Sequence, residues 1–138
     1  MKNFKFKQLK INQSSNLKIQ ISNIFLKKFT QLSGDNNPIH TNKNFAKKYG
    51  FKDKIMHGML LGTFYSKFIG KKLPGKFSLI VESNIKFHKP VYLNDTISIK
   101  GSIKALSSVY KIATIQIIAT NQFKKKISSA KILVKLNE

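Results

Sequence analysis

The chain has no cysteine, which excludes disulfides and thiolate metal sites and permits a reducing compartment. It also has no arginine. All 26 basic residues are lysine, against five acidic residues, for a formal net charge of +21. Arginine is the side chain suited to bidentate contacts with phosphates and base edges, so a charge built on lysine alone reads as a compositional bias spread over the surface, and no nucleic-acid partner is expected. Doublets and triplets such as Lys27-Lys28, Lys47-Lys48, Lys71-Lys72 and Lys124-Lys125-Lys126 fit solvated faces and turns. A basic surface still favours anionic partners, such as a phosphorylated cofactor or an acidic carrier protein. No stretch reaches the ~18 apolar residues of a membrane span, and the N-terminus is broken by Lys, Gln, Asn and Ser, without the apolar run of a signal peptide. A cytoplasmic protein with no membrane contact is expected. The three histidines, His40, His57 and His88, lack the paired spacing of a zinc motif, so no metal site is expected.

What is present fits one domain over residues 1–138: the length lies within the roughly 100 to 200 residues of an ordinary domain, and 41% hydrophobic content suffices for a core. A strand is expected near Leu17 to Ile21. A helix follows, with Ser22 as N-cap and Phe25, Phe29 and Leu32 at i, i+4 and i+7, ending at Gly34. A second, short helix is expected from Asn42 to Tyr49, capped by Thr41 and stopped by Gly50. From Ile55 to Ser66 only His57 could carry a charge, and Met59, Leu60, Phe64 and Phe68 with Leu61 and Ile69 make a helix apolar nearly all round. Such a helix should be buried.

After Gly75 the period changes to two. Leu79, Val81, Ile85 and Phe87 form one face of a strand; Ile97, Ile99 and Ile103 one face of the next; Ala130, Ile132, Val134 and Leu136 one face of the last. Between them, Val109 to Thr120 is apolar on both faces and reads as a central strand. Four long strands with one apolar face need a cover, which the uncharged helix can supply. The expected class is therefore α+β, an antiparallel sheet wrapped around a buried central helix.

The chemistry-bearing segment is Ser33-Gly34-Asp35-Asn36-Asn37-Pro38-Ile39-His40. It sets a carboxylate and an imidazole five residues apart in a loop shaped by Asn37 and Pro38, a pair able to activate one water. Gly58 opens the buried helix with no side chain to block approach, and N–H groups at a helix start can hold a developing oxyanion. Gly58, Gly62 and Ser66 recur every four residues on one helix face, and a glycine inside a helix at Gly62 suggests a close approach to the backbone, by a strand or by an extended ligand. His57 is read as a capping or packing residue, and His88 as solvated.

The run Leu32 to His40, followed by Phe45-Ala46 and then Ile55-Met56-His57-Gly58-Met59-Leu60, resembles the MaoC-like, R-specific enoyl-CoA hydratase family with its hot-dog fold. Phe87-His88-Lys89-Pro90-Val91-Tyr92-Leu93-Asn94-Asp95 resembles that family's approach to the next strand. Asn94 stands where the family often has glycine; asparagine also tolerates a left-handed turn. The resemblance implies syn hydration of a trans-2-enoyl thioester to an R-3-hydroxyacyl thioester, or the reverse. Asp35 and His40 would be catalytic, Gly58 the oxyanion donor, and Ser66 a substrate-binding residue with Gly62 beside it. It also implies a homodimer, a CoA or acyl-carrier-protein thioester as substrate, a place in fatty acid metabolism, and no separate cofactor. Two alternatives remain open: a non-catalytic basic hot-dog binding protein, and a hot-dog acyl thioesterase.

Overall fold

The structure, a computed structural model, describes residues 3–138. Five strands, β1 (Ser14–Gln20), β2 (Ser78–Phe87), β3 (Thr96–Ser107), β4 (Ile112–Thr120) and β5 (Lys126–Leu136), form one antiparallel sheet in the order β1-β3-β4-β5-β2. Four helices lie between β1 and β2 in sequence: α1 (Asn23–Ser33), α2 (Pro38–Thr41), α3 (Lys43–Lys48) and α4 (Gly58–Lys71).

The period-two residues of the three central strands set the layering. Ile97, Ile99 and Ile103 of β3, Ala113, Ile115, Ile117 and Ala119 of β4, and Ala130, Ile132, Val134 and Leu136 of β5 are all buried, while Lys100, Gln116, Lys131 and Lys135 face outward. Onto the buried face α4 packs Leu60, Leu61, Phe64, Tyr65, Phe68 and Ile69 in one cluster with the strand residues. The sheet nests around the helix most tightly at Gly101. A Cβ there would stand 2.5 Å from the ring of Phe68, so only glycine admits this approach.

The structure corrects the expected details at four points. Leu79 and Val81 point outward, because a bulge between Ile80 and Glu82 shifts the pairing of β2 with β5 and turns Ile80 toward the core. Val109 and Tyr110 are exposed turn residues, and β4 begins only at Ile112. Leu32 is 85% exposed, so the buried stripe of α1 is Phe25, Leu26 and Phe29. Ser22 occupies the N-cap of α1 as expected, without a side-chain cap bond. Asn42, not Thr41, caps α3, its side chain accepting the Phe45 N–H at 3.0 Å.

Candidate active site

Asp35 is held by short-range bonds. Gly34 ends α1 in the left-handed region (φ 72°), and its N–H donates to Thr30 O at 2.9 Å. Three side chains then each accept the backbone N–H two residues on: Asp35 N–H to Ser33 Oγ at 3.1 Å, Asn37 N–H to Asp35 Oδ1 at 3.2 Å, and Ile39 N–H to Asn37 Oδ1 at 3.1 Å. The last of these caps α2, with Pro38 at its start. Asn37 and Pro38 thus shape the loop as expected. Asp35 Oδ1 is used by this relay, which leaves Oδ2 on a side chain that is 49% exposed.

His40 sits on α2, one turn after the loop, with its side chain 13% exposed. Its Nδ1 lies 2.8 Å from the carbonyl of Ile55. A carbonyl can only accept, so Nδ1 carries a proton, and in the neutral ring the lone pair is on Nε2. That Nε2 stands 3.9 Å from Asp35 Oδ2, a gap that one water, about 2.8 Å from each atom, can bridge.

Gly58 is the first residue of α4, so its N–H has no acceptor within the helix. Phe87, at the end of β2 and 50% exposed, covers it; a Cβ on Gly58 would lie 3.2 Å from that ring. At Gly62 the neighbour is Ile85, 3.5 Å from an added Cβ, so the close approach at these two glycines is by β2. His40 and Gly58 share a cavity of about 360 Å³ with Met56, Leu61, Phe87 and Lys89. Gly62 and Ser66 do not line it. Ser66, exposed, is two turns further along α4, about 12 Å at the helical rise.

His57 has the packing place expected of it, but its contacts with Asp35 and His40 were not foreseen. Its backbone occupies the N-cap of α4, but its side chain makes no cap bond. Instead the imidazole is 2% exposed, donates from Nε2 to the carbonyl of Asp35 at 2.8 Å, and stacks on His40 at 3.9 Å between ring centroids. The available signal was its place as the only histidine in an apolar run, directly before the glycine. His88 is exposed as expected, and its Nε2 lies 2.8 Å from Ser129 Oγ.

Asp35, His40 and His57 bring three potential metal-ligating atoms within 4.8 Å of one another. The donor set does not fit a metal: Nε2 of His57 is committed to a carbonyl, and two rings stacked at 26° run their ring planes side by side instead of converging on one point. Away from the pair, the Lys43 ammonium, 2.9 Å from Asp53, and the Lys54 N–H hold the Asp53 carboxyl below its ordinary range. In the core, burial pushes the Tyr65 hydroxyl up to about 12, against the opposing influence of the Ser128 hydroxyl. Among the described residues no helix is long and apolar enough to cross a membrane.

Residues 6–126 match the MaoC like domain. Over 115 residues, 83% of this chain and 80% of the relative, the sequence is 35% identical to the (R)-specific enoyl-CoA hydratase of Rhodospirillum rubrum. Over 107 residues, 78% of this chain and 80% of the relative, it is 33% identical to the enzyme of the same name from Aeromonas caviae. The solved structure of the (R)-hydratase from A. caviae involved in PHA biosynthesis superposes with a TM-score of 0.90 at 30% identity, covering 95% of this chain and 99% of that one. The sheet folded around α4 is the hot-dog fold of these neighbours. On the extent of these matches, the chain belongs to the MaoC-like family.

Proposed function

We propose that the protein is a hydratase/dehydratase that interconverts trans-2-enoyl and R-3-hydroxyacyl thioesters. The observation that carries this reading is the approach of Asp35 Oδ2 to Nε2 of His40 at 3.9 Å, beside a cavity that His40 shares with the start of α4. A water held by the pair adds its oxygen to C3, one of its protons passes to the pair, and the pair returns a proton to C2 on the same face. Electrons from the double bond move onto the thioester oxygen as the C3–O bond forms and return as C2 is protonated. The Gly58 N–H, unpaired within its helix, is the donor for that oxygen. Gly62 and Ser66, further along α4 and outside that cavity, are assigned to the acyl chain on the family resemblance alone.

The thioester arm is that of CoA, as in the names of both sequence relatives, and Lys89 at the cavity suits its phosphates; an acidic acyl-carrier protein is the second carrier on the same arm. The whole chain acts as one domain, in the cytoplasm, in fatty acid metabolism. The working form is a homodimer. β2 is a sheet edge and exposes Leu79, Val81 and Phe87, and an open apolar edge favours pairing with another strand. Light scattering that gave only a monomer at micromolar concentration would count against the dimer.

Incubation with crotonyl-CoA, following the enoyl absorbance and free thiol together, tests the reaction. Loss of the enoyl signal without thiol release is expected. Thiol release without hydration would make the protein a thioesterase, and no reaction on CoA or carrier substrates would favour a binding protein.

A further inference from the structure

We propose that His57 is a positioning residue for the catalytic pair: it fixes the backbone of Asp35 and the ring plane of His40 together, and acts on hydration through them without touching substrate. The inference rests on the hydratase reading of the site. It starts from an imidazole in an unusual setting. His57 is 2% exposed, and its Nδ1 is buried with no hydrogen-bond partner among the described residues. An unpaired buried nitrogen opposes stability, and a phenylalanine or leucine would fill the same space without that cost. Packing alone therefore does not account for an imidazole at this position.

The contacts of the ring do account for it. Nε2 donates to the carbonyl of Asp35 at 2.8 Å, across 22 residues, and lies 4.0 Å from the same residue's Oδ2. One face of the ring stacks on His40 at 3.9 Å and 26°, and Phe29 packs at 5.0 Å and 55°. His40 is meanwhile tied by Nδ1 to the carbonyl of Ile55, two residues before His57. The segment 55–57 thus grips the catalytic imidazole twice, once in its plane and once on its face, and grips the backbone of the catalytic carboxylate a third time. The 3.9 Å spacing of Asp35 Oδ2 and His40 Nε2 is set by these three contacts, and reacting groups displaced by about 1 Å can lose ~10²-fold in rate.

Two full-length variants separate the contacts. His57→Phe keeps a flat ring against His40 and removes the donor; His57→Gln keeps an N–H that can reach the Asp35 carbonyl and removes the ring. Each is expected to fold and to lose about 10- to 100-fold in kcat on crotonyl-CoA, with KM within about twofold, because substrate contacts are untouched. NMR of the imidazoles gives a readout independent of turnover: the His40 Nδ1–H, locked on the Ile55 carbonyl under the His57 ring in the wild type, should exchange with solvent markedly faster in His57→Gln, where that covering ring is gone. Wild-type kcat in both variants, with Asp35→Asn inactive, would overturn the positioning role and leave the hydratase reading intact. A kcat loss matched by an equal fraction unfolded at the assay temperature would overturn it too. If the wild type hydrates nothing, the hydratase reading fails by itself, and a His40 Nδ1–H that exchanges no faster in His57→Gln would then remove the positioning role as well.

Discussion

His40 donates its Nδ1 proton to the carbonyl of Ile55 at 2.8 Å, and Ile55 is itself bridged to Tyr92 in antiparallel fashion, with Met56 N–H donating to Val91 O at 2.7 Å. The His40 imidazole therefore hangs on the connection between β2 and β3. Its Nε2 faces Asp35 because Nδ1, joined to it through Cε1, is anchored on the Ile55 carbonyl.

Asp35→Asn and His40→Gln keep approximate shape and remove proton transfer. General acid or base groups contribute about 10² to 10⁴-fold, so each variant should fold and lose hydration by at least about 10²-fold. The double variant should be little worse than either single one, since both residues serve one water. Steady-state kinetics on crotonyl-CoA with circular dichroism checks this. Retention of more than about a tenth of wild-type turnover by Asp35→Asn would contradict the mechanism; failure of both variants to fold would assign the pair to loop structure.

Asp95 anchors the connection that carries Tyr92. It is buried, with Oδ2 accepting the Tyr92 N–H at 2.9 Å and Oδ1 accepting from Gln122 Nε2 at 2.8 Å. Asp95→Ala takes the acceptor from the half-buried Tyr92 N–H, while the exposed Gln122 amide can turn to water, and should destabilise the fold by about 1–3 kcal/mol, measurable by urea unfolding. Because Tyr92 supports Ile55, kcat should fall as well, below what the fraction folded explains.

Gly101→Ala inserts a methyl 2.5 Å from the Phe68 ring and should cost about 1–3 kcal/mol through overpacking. Combined with Phe68→Leu, it should cost less than the sum of the two single changes, because the shorter side chain vacates the contested space. Additive losses would mean that the helix shifts away instead.

Tyr65→Phe tests the buried phenol through pH. The unfolded chain loses this proton near pH 10 and the folded protein near 12, so over that window the unfolded state binds fewer protons and stability falls as pH rises. Below pH 10 the wild type holds this contribution in full. Relative to Tyr65→Phe, it should lose roughly 2–3 kcal/mol between pH 10 and 12, read from paired unfolding curves. Parallel curves for the two proteins would show that the phenol ionises freely in the fold.

The periodicities carried much of this architecture. Alternation in β3 and β5 gives the buried face, and the apolar run around Leu60 to Ile69 gives the central helix, because both signals are local and repeat many times. The phase of Leu79 and Val81 was not legible, since one bulge residue reverses the face without altering the composition of β2. Asn42 and Thr41 are both good caps, and only the fold of α2 between the loop and α3 decides which one serves. At the site, Asp35, His40 and Gly58 stand out by spacing within short motifs. The stack of His57 on His40 does not, because it joins residues 17 positions apart through a turn that the rest of the fold creates.

The relay of Ser33, Asp35 and Asn37 works as a ruler counted in residues. Every link spans two positions, so the carboxylate is indexed to the end of α1 and to the beginning of α2 by number alone. Exchanges among Ser, Thr, Asn and Asp at the first and third marks should leave the scale readable. Adding or deleting one residue between Gly34 and Pro38 would break at least one link and change the count from α1 to α2, so this segment should vary in letters and hardly ever in length.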